Sequence, residues 1–394
     1  MKVKQLPADF VVEERADLTP TNEGRFSVYK LRKEGIGTLE ALRALRRAWK
    51  VGPRDLGFGG LKDRHAVTVQ WVTIHNGPRR NLEDKAFRLT YEGRSDVPMS
   101  RMVLSGNAFR IRLRDLSKEE GERLAGRLAA IAAAGLPSYF DDQRFGSLRG
   151  GGGFSVLHLL RGDPEAALKA VIASPSREDR GAVRERKKRI RAAWPDLGPV
   201  IGALTGSPMR APALHLVRFP GDFEGAFATL DREERRLYAS AWQSAVWNRA
   251  VCRRVSELVG DGDRIAIPSP VGALIFPKDP AVLSAFEGQS LPLPAPKSKA
   301  DDPAWQAALE ASLAEDGLTL DRLELSKRVA LHLRPTKRAI LFRPDDAVAK
   351  GPLPDETASG RFCLDLSFSL GRGLYATLLL KRLSYDIPGP KSFA

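Results

Sequence analysis

From Ala108 to Arg114, apolar Phe109, Ile111 and Leu113 alternate with Arg110, Arg112 and Arg114, the period-two pattern of a strand with one buried face. The pattern recurs near the C-terminus, where Phe362, Leu364, Leu366, Phe368 and Leu370 alternate with Cys363, Asp365, Ser367 and Ser369. Another strand is expected at Thr68–Ile74, a run rich in β-branched and aromatic residues that His75-Asn76-Gly77-Pro78 closes with turn chemistry. Leu39, Leu42, Leu45 and Trp49 fall at helical spacing, with Thr38 as the expected cap. Ser117-x-x-Glu120 predicts a capping box opening a second helix, which Gly135 and Pro137 stop. Glu233 to Leu258 reads as one long helix whose Leu237, Ala241 and Ala245, with the pairs Tyr238/Trp242 and Val251/Val255, predict a stripe facing a core. Pro292 to Asp302, with its alternating prolines, predicts an extended or flexible surface loop. Helices gathered after strand pairs, rather than alternating strictly with strands, argue for an α+β fold.

A chain of 394 residues should bury a sizeable core and form two or three domains, at roughly 150 residues per domain. Lys and Arg number 63 against 48 acidic residues, so the net charge of +15 favours a polyanionic partner, nucleic acid first. The Arg110, Arg112 and Arg114 face either tracks phosphates or is a solvated outer face. The densest cationic stretch, Arg177 to Arg191, reads equally as a grip on an RNA backbone and as a solvated segment. No apolar run approaches the roughly 20 residues of a membrane span, and Met1–Leu6 lacks a signal-peptide core, so a cytoplasmic protein without a membrane partner is expected. Cys252 and Cys363 are expected as reduced, buried thiols. The five histidines, 65, 75, 158, 215 and 332, show no ligand spacing, and no metal site is expected. Gly150–Gly153 lacks the Gly-Lys-Ser/Thr end of a phosphate loop, and Gly371-Arg372-Gly373 lacks the third glycine of a dinucleotide fingerprint, so no nucleotide cofactor is expected.

Two loops carry candidate chemistry. Gly59-Gly60-Leu61-Lys62-Asp63-Arg64-His65 feeds the strand at Thr68, and its glycines suit a loop that presents a side chain to a cleft. Asp63 is there either a turn former or a presented carboxylate. In Gly135–Gly146, Tyr139 and Phe140 precede Gln143 and Arg144 after the second helix. These aromatics either stack on an unpaired base or plug the core.

Together these segments resemble the TruD family of tRNA pseudouridine synthases. Gly60 to Gln70 is similar to the family's G-x-K-D-x-x-A-x-T-x-Q at every fixed position, and the resemblance implies Asp63 as the catalytic aspartate. Pro137 to Gly146 resembles P-N-Y-F-G-x-Q-R-F-G, with Phe140 at the aromatic that packs against the target base; Ser138 and Asp141 depart from the pattern, and Asp141 would add a negative charge near the RNA. Lys4, ahead of Asp9-Phe10-Val11-Val12-Glu13, falls where the family carries the basic partner of the aspartate, and a cation there favours a charged carboxylate. Ser105–Phe109, Ala239–Asn248 and Gly373–Thr377 also resemble family segments.

The resemblance implies a pseudouridine synthase catalytic domain, residues 1–154 and 336–394, with a central, mainly antiparallel sheet, interrupted by a large α/β insertion (TRUD) domain at 155–335. It implies RNA contacts from Lys62, Arg64, His65, Gln70, Gln143 and Arg144, no cofactor, and a monomer that converts a uridine of tRNA, position 13 being the usual bacterial target, to pseudouridine. Reaching that uridine requires taking it out of its stack. The alternative is a non-catalytic RNA-binding or RNA-chaperone protein on the same scaffold. An RNA hydrolase is disfavoured because no second acidic residue of matching chemistry stands near Asp63 in sequence.

Overall fold

The computed structural model describes residues 1–64, 66–148, 153–175, 179 and 181–389. The chain divides into two compact units, Met1–Leu136 with Phe342–Ala394, and Pro137–Leu341. Both termini thus contribute to the first unit. The divisions between compact units fall at 136/137 and 341/342; the family resemblance implies insertion bounds at 154/155 and 335/336. The reason at the first boundary is local: the backbone N–H and C=O of Phe140 bond to Oδ1 and Nδ2 of Asn248, both at 2.9 Å, which ties this loop to the long helix of the second unit.

The first unit is built on a nine-stranded sheet. Its strands are β1 (Phe10–Ala16), β2 (Phe26–Lys33), β3 (Leu56–Phe58), β4 (Val67–His75), β5 (Leu82–Glu83), β6 (Phe87–Ser95), β7 (Leu104–Leu116), β8 (Asp345–Pro354) and β9 (Phe362–Gly371). They lie in the order β8-β9-β7-β1-β4-β2-β6-β5, with β3 also on β4. Only β1 and β4 pair in parallel, Val11 opposite Val67 and Glu13 opposite Val69; the other pairings are antiparallel. This is the α+β fold expected from helices gathered after strand pairs, with the mainly antiparallel sheet that the family resemblance implies. Helix α1 (Thr38–Trp49) lays Ala41, Leu42 and Leu45 on Tyr29, Leu31, Val72, Ile74 and Leu89. Its cap is Gly37 rather than Thr38, whose hydroxyl is committed elsewhere. Helix α2 (Lys118–Ala134) opens with the expected box: the Glu120 N–H donates to Ser117 Oγ at 3.1 Å, and the Ser117 N–H to Glu120 Oε2 at 2.8 Å. Gly135, at φ 88°, ends it in a conformation that favours glycine.

The second unit centres on the helix Arg232–Leu258, whose Trp242 and Trp247 are fully buried. Leu237 faces solvent and lies off the buried stripe. The helix Pro303–Ala314 packs on it, and two short ribbons, Arg264–Ile267 with Leu274–Pro277 and Ser290–Pro292 with Lys337–Ala339, complete the α/β character. The proline-rich stretch from Pro292 is not a flexible surface loop. Leu293, Pro294 and Ala295 are buried, and the Pro294 carbonyl accepts from Gln243 Nε2 at 2.8 Å. The basic stretch forms the helix Gly181–Ala193; Arg177 lies outside the described residues. Cys363 is buried, Cys252 half-buried, and both are free thiols.

Candidate active site

The parallel pairing of β1 with β4 decides where the site lies, because the segments that lead into two parallel neighbours arrive at the same end of the sheet. Lys4 precedes β1 and Asp63 precedes β4, so residues 59 positions apart meet: Lys4 Nζ donates to Asp63 Oδ2 at 2.9 Å. The Lys4 side chain is 17% exposed and the Asp63 side chain 41%, an ion pair open to solvent on the carboxylate side. Lys4 also sits 4.7 Å from the centroid of the Phe10 ring, on which its cation is favourably placed. Its backbone is left-handed, φ 57°, a conformation that the surrounding structure must enforce on a non-glycine residue.

That enforcement comes from both sides of Lys4. Lys2 bonds through its N–H and C=O to the backbone of Arg114 at 2.8 and 2.9 Å. The single turn Pro7–Asp9 follows, with the Leu6 N–H on Asp9 Oδ2 at 2.8 Å. The Asp9 carboxylate in turn receives Arg114, which also reaches Asp355 at 2.9 Å and Glu356 at 2.9 Å; the Arg114 and Asp9 side chains are each 2% exposed. Against the opposing effect of burial, the backbone N–H groups of Thr357 and Asp115, then the Thr357 hydroxyl and Arg114, hold the Asp355 carboxyl far below the usual carboxylate range, and the Glu356 carboxyl, bonded to Arg114, stands at about 2. Arg114 is therefore the post to which the segment bearing Lys4 is tied. Of the three arginines of this strand only Arg114 is interior; Arg112 makes a two-point bond to Asp365 at 2.6 and 2.7 Å, and the exposed Arg110 pairs with Glu13 at 3.0 Å.

The Asp63 loop is fastened from beneath. Lys62 Nζ meets the fully buried Glu14 carboxylate at 2.9 Å and donates to Asn107 Oδ1 at 2.8 Å. The Lys62 N–H donates to Thr38 Oγ1 at 2.9 Å, Thr38 donates to Gln70 Oε1 at 2.9 Å, and Gln70 Nε2 donates to the Gly60 carbonyl at 3.4 Å. Lys33 Nζ donates to the carbonyls of Ile36, Lys62 and Asp63 at 2.9, 3.3 and 2.7 Å. Burial pushes the Lys33 ammonium down to about 8, opposed by the Asp63 charge and helped by Lys62.

Two of the expected RNA contacts, Gln70 and Lys62, are engaged in fastening the loop itself. Gln70 is 1% exposed and spends its amide on Thr38 and Gly60, so it holds the loop from within. The Lys62 side chain is 11% exposed and neutralises Glu14. Arg64 is exposed, on the Gly35 carbonyl and Glu40 at 3.1 Å each. His65 lies outside the described residues. Four residues that fasten the site, Glu14, Lys33, Thr38 and Asn107, were not singled out as site residues. For Glu14 and Lys33 a signal exists: each is a charge in the buried phase of its strand, after Phe10 and Val12 on β1 and after Tyr29 and Leu31 on β2.

In the second unit Phe140 is 6% exposed, with the Trp247 ring edge-on at 5.6 Å. The guanidinium of Arg338 stands 4.2 Å from its ring centroid and that of Arg144 at 5.3 Å. Arg144 also donates to Ser244 Oγ at 3.0 Å, while Gln143 is exposed. Ser138, where the family motif has asparagine, is 1% exposed; its N–H donates to the Ile340 carbonyl at 2.7 Å. Asp141 is also 1% exposed, so its carboxylate is not presented to a polyanion at the surface. Among the described residues, no group of three or more His, Cys, Asp or Glu could hold a metal ion.

A partly exposed carboxylate with a cationic partner, on a loop bonded down along its backbone, has the chemistry to act as a base or a nucleophile. The family model for tRNA pseudouridine synthase D (TruD) matches residues 1–383, and the chain belongs to this family. It is 31% identical to the tRNA pseudouridine synthase D of Geobacter metallireducens, over 97% of this chain and 94% of the relative. With that of Leptospira interrogans it shares 28% identity over 97% of this chain and 95% of the relative. The crystal structure of a Methanosarcina mazei chain carrying the TruD name superposes with a TM-score of 0.74 at 25% identity, over 97% of this chain and 92% of that one.

Proposed function

We propose that this tRNA pseudouridine synthase uses Asp63 as its catalytic aspartate, with Lys4 as the cation at the carboxylate and Phe140 packing against the target base. The observation that carries the reading is the Lys4–Asp63 pair at 2.9 Å, with the carboxylate 41% exposed on a loop whose backbone is otherwise bonded down. Isomerisation breaks the N1–C1′ bond of uridine, turns the uracil, and joins C5 to C1′, a sequence with no net oxidation. A carboxylate beside C1′ either attacks the sugar or takes the C2′ proton to give a glycal, and Asp63 suits both. We take the target to be a uridine of tRNA at position 13, the first unit to be the catalytic domain, the second to be the TRUD insertion, and the enzyme to be a cytoplasmic monomer. Arg64, Gln143 and Arg144 remain the RNA contacts of this reading.

Asp63→Asn tests it, because the change keeps size and most hydrogen-bonding capacity. Total tRNA lacking the modification is treated with wild type and variant, and pseudouridine is mapped by position. The expected result is formation by the wild type alone, with the variant folded and binding tRNA at similar affinity. Pseudouridine from a pure, folded variant rejects Asp63. None from either protein favours a non-catalytic RNA-binding scaffold, and release of uracil or chain scission favours a hydrolase.

A further inference from the structure

We propose that Lys33 is a positioning residue for this reaction, its ammonium fixing the backbone of the loop that presents Asp63 and so setting where the carboxylate stands. The inference rests on the reading of Asp63 given above. Lys33 is the last residue of β2 and is 1% exposed. Its three N–H groups meet three carbonyls, those of Ile36, Lys62 and Asp63 at 2.9, 3.3 and 2.7 Å, which uses its whole donor capacity. Two of the three acceptors are consecutive carbonyls of the Asp63 loop, and one belongs to Asp63 itself.

The energetics point the same way. A buried charge is costly, and an apolar residue in phase with Tyr29 and Leu31 would suit the core better. A lysine whose acceptors are peptide carbonyls gains little that a packed side chain would not supply, except control of where those carbonyls lie. A loop fixed only through Thr38 and Lys62 would be held at the residue before Asp63. Lys33 adds the restraint at Asp63, and an ångström of drift there moves the carboxylate relative to C1′. Asp63 and Lys62 are the charged side chains that act on Lys33, and their opposing influences leave burial dominant, with the ammonium titrating at about 8. Above that pH a neutral amine offers two N–H groups to three carbonyls.

The test compares wild type, Lys33→Met, Lys33→Gln and Asp63→Asn in single-turnover pseudouridine formation at saturating enzyme, with tRNA affinity and thermal melting measured alongside. Lys33→Met should fold and bind tRNA as the wild type does, yet convert bound tRNA roughly 10- to 100-fold more slowly, the order that ångström-scale misplacement costs. Lys33→Gln, which retains donors for part of the set, should fall between them. The wild-type rate should decline as pH rises through about 8, a limb absent from Lys33→Met. A wild-type rate constant in folded Lys33→Met overturns the proposal, as does a rate loss fully explained by the unfolded fraction or a failure of both Lys33 variants to fold. Asp63→Asn separates the two readings: if it is inactive while Lys33→Met is normal, only Lys33 is wrong, and if it is active, the reading of Asp63 fails first.

Discussion

Lys4 donates to Asp63 across 2.9 Å only because β1 and β4 run parallel in a sheet that is otherwise antiparallel. An antiparallel pairing of these two strands would carry their leading segments to opposite ends. The pair is not fully buried, since the carboxylate is 41% exposed, so removing Lys4 should not incur the roughly 3 to 5 kcal/mol of a broken interior pair. Lys4→Met should cost at most about 1 kcal/mol of stability, the range of exposed pairs, while lowering turnover sharply. Denaturant unfolding and single-turnover rates measured on one preparation check this, and near-normal turnover would assign another cation to Asp63.

Phe140 has two claims on it, as a stacking platform and as a packed core residue, and the ring is buried against Trp247 with Arg338 over it. Phe140→Ala should therefore destabilise the protein by about 3 to 5 kcal/mol, from lost apolar burial and the cavity left behind. Activity loss in that variant would be ambiguous. Phe140→Leu keeps most of the apolar volume and should cost less than about 1.5 kcal/mol if it repacks. If the ring stacks on the base, turnover per folded molecule should still fall by the equivalent of roughly 1 to 3 kcal/mol. Unchanged turnover in folded Phe140→Leu would leave Phe140 with its packing role alone.

How much of this was legible in the sequence differs by element. The alternation in β7 and β9 and the Ser117–Glu120 box were readable because side-chain period and capping chemistry are local. The Asp63 loop was readable through its motif, and Lys4 through the resemblance. Arg114 was misread because its solvent-facing phase on β7 says nothing of the N-terminal segment and the Asp355 loop that cover it. The prolines after Pro292 were misread for a related reason: composition suggested a solvated loop, but Gln243 on the long helix, distant in sequence, donates to its backbone. Gln70 was placed on the RNA although, in phase with Thr68, Val72 and Ile74, it occupies the buried face of β4. Polar residues in the buried phase of a strand, here Glu14, Lys33 and Gln70, were the available sign of loop-fastening groups.

The Arg114 cluster should make the first unit acid-sensitive. The Asp355 and Glu356 carboxyls titrate lower folded than unfolded, so the stability they add is fully present above the unfolded carboxylate range near 4 and is lost as pH falls through the folded values, about 2 for Glu356. Arg114→Met removes the cation that Asp9, Asp355 and Glu356 share. At pH 7 it should cost about 3 to 5 kcal/mol, as for a buried network stripped of one partner. The difference from wild type should shrink on acidification, and unfolding curves at pH 7 and pH 3 would show it; a gap constant with pH would contradict the assignment. A surviving Arg114→Met fraction should also turn over slowly, because the segment bearing Lys4 loses its post.

Salt dependence decides what the basic helix does. In Gly181–Ala193, Lys187 is 1% exposed and pairs with Asp179 at 2.5 Å, so it belongs to the interior and must be left intact in any test. Arg184, Lys188 and Arg191, at i, i+4 and i+7, form an exposed stripe, with Arg189 beside it. Glu185 lies 3.9 Å from Lys188 and 3.8 Å from Arg189, too loosely to neutralise the surface. If the stripe neutralises phosphates, each cation contributes about −0.7 to −0.9 to the slope of log affinity against log salt. Replacing Arg184, Lys188, Arg189 and Arg191 with Ala should then weaken tRNA binding most at low salt and flatten the slope by roughly 3 units. Turnover of bound tRNA should stay near the wild-type rate, because the Lys4–Asp63 pair is untouched. An unchanged slope would make the stripe a solvated face and leave the phosphate contacts to other cations.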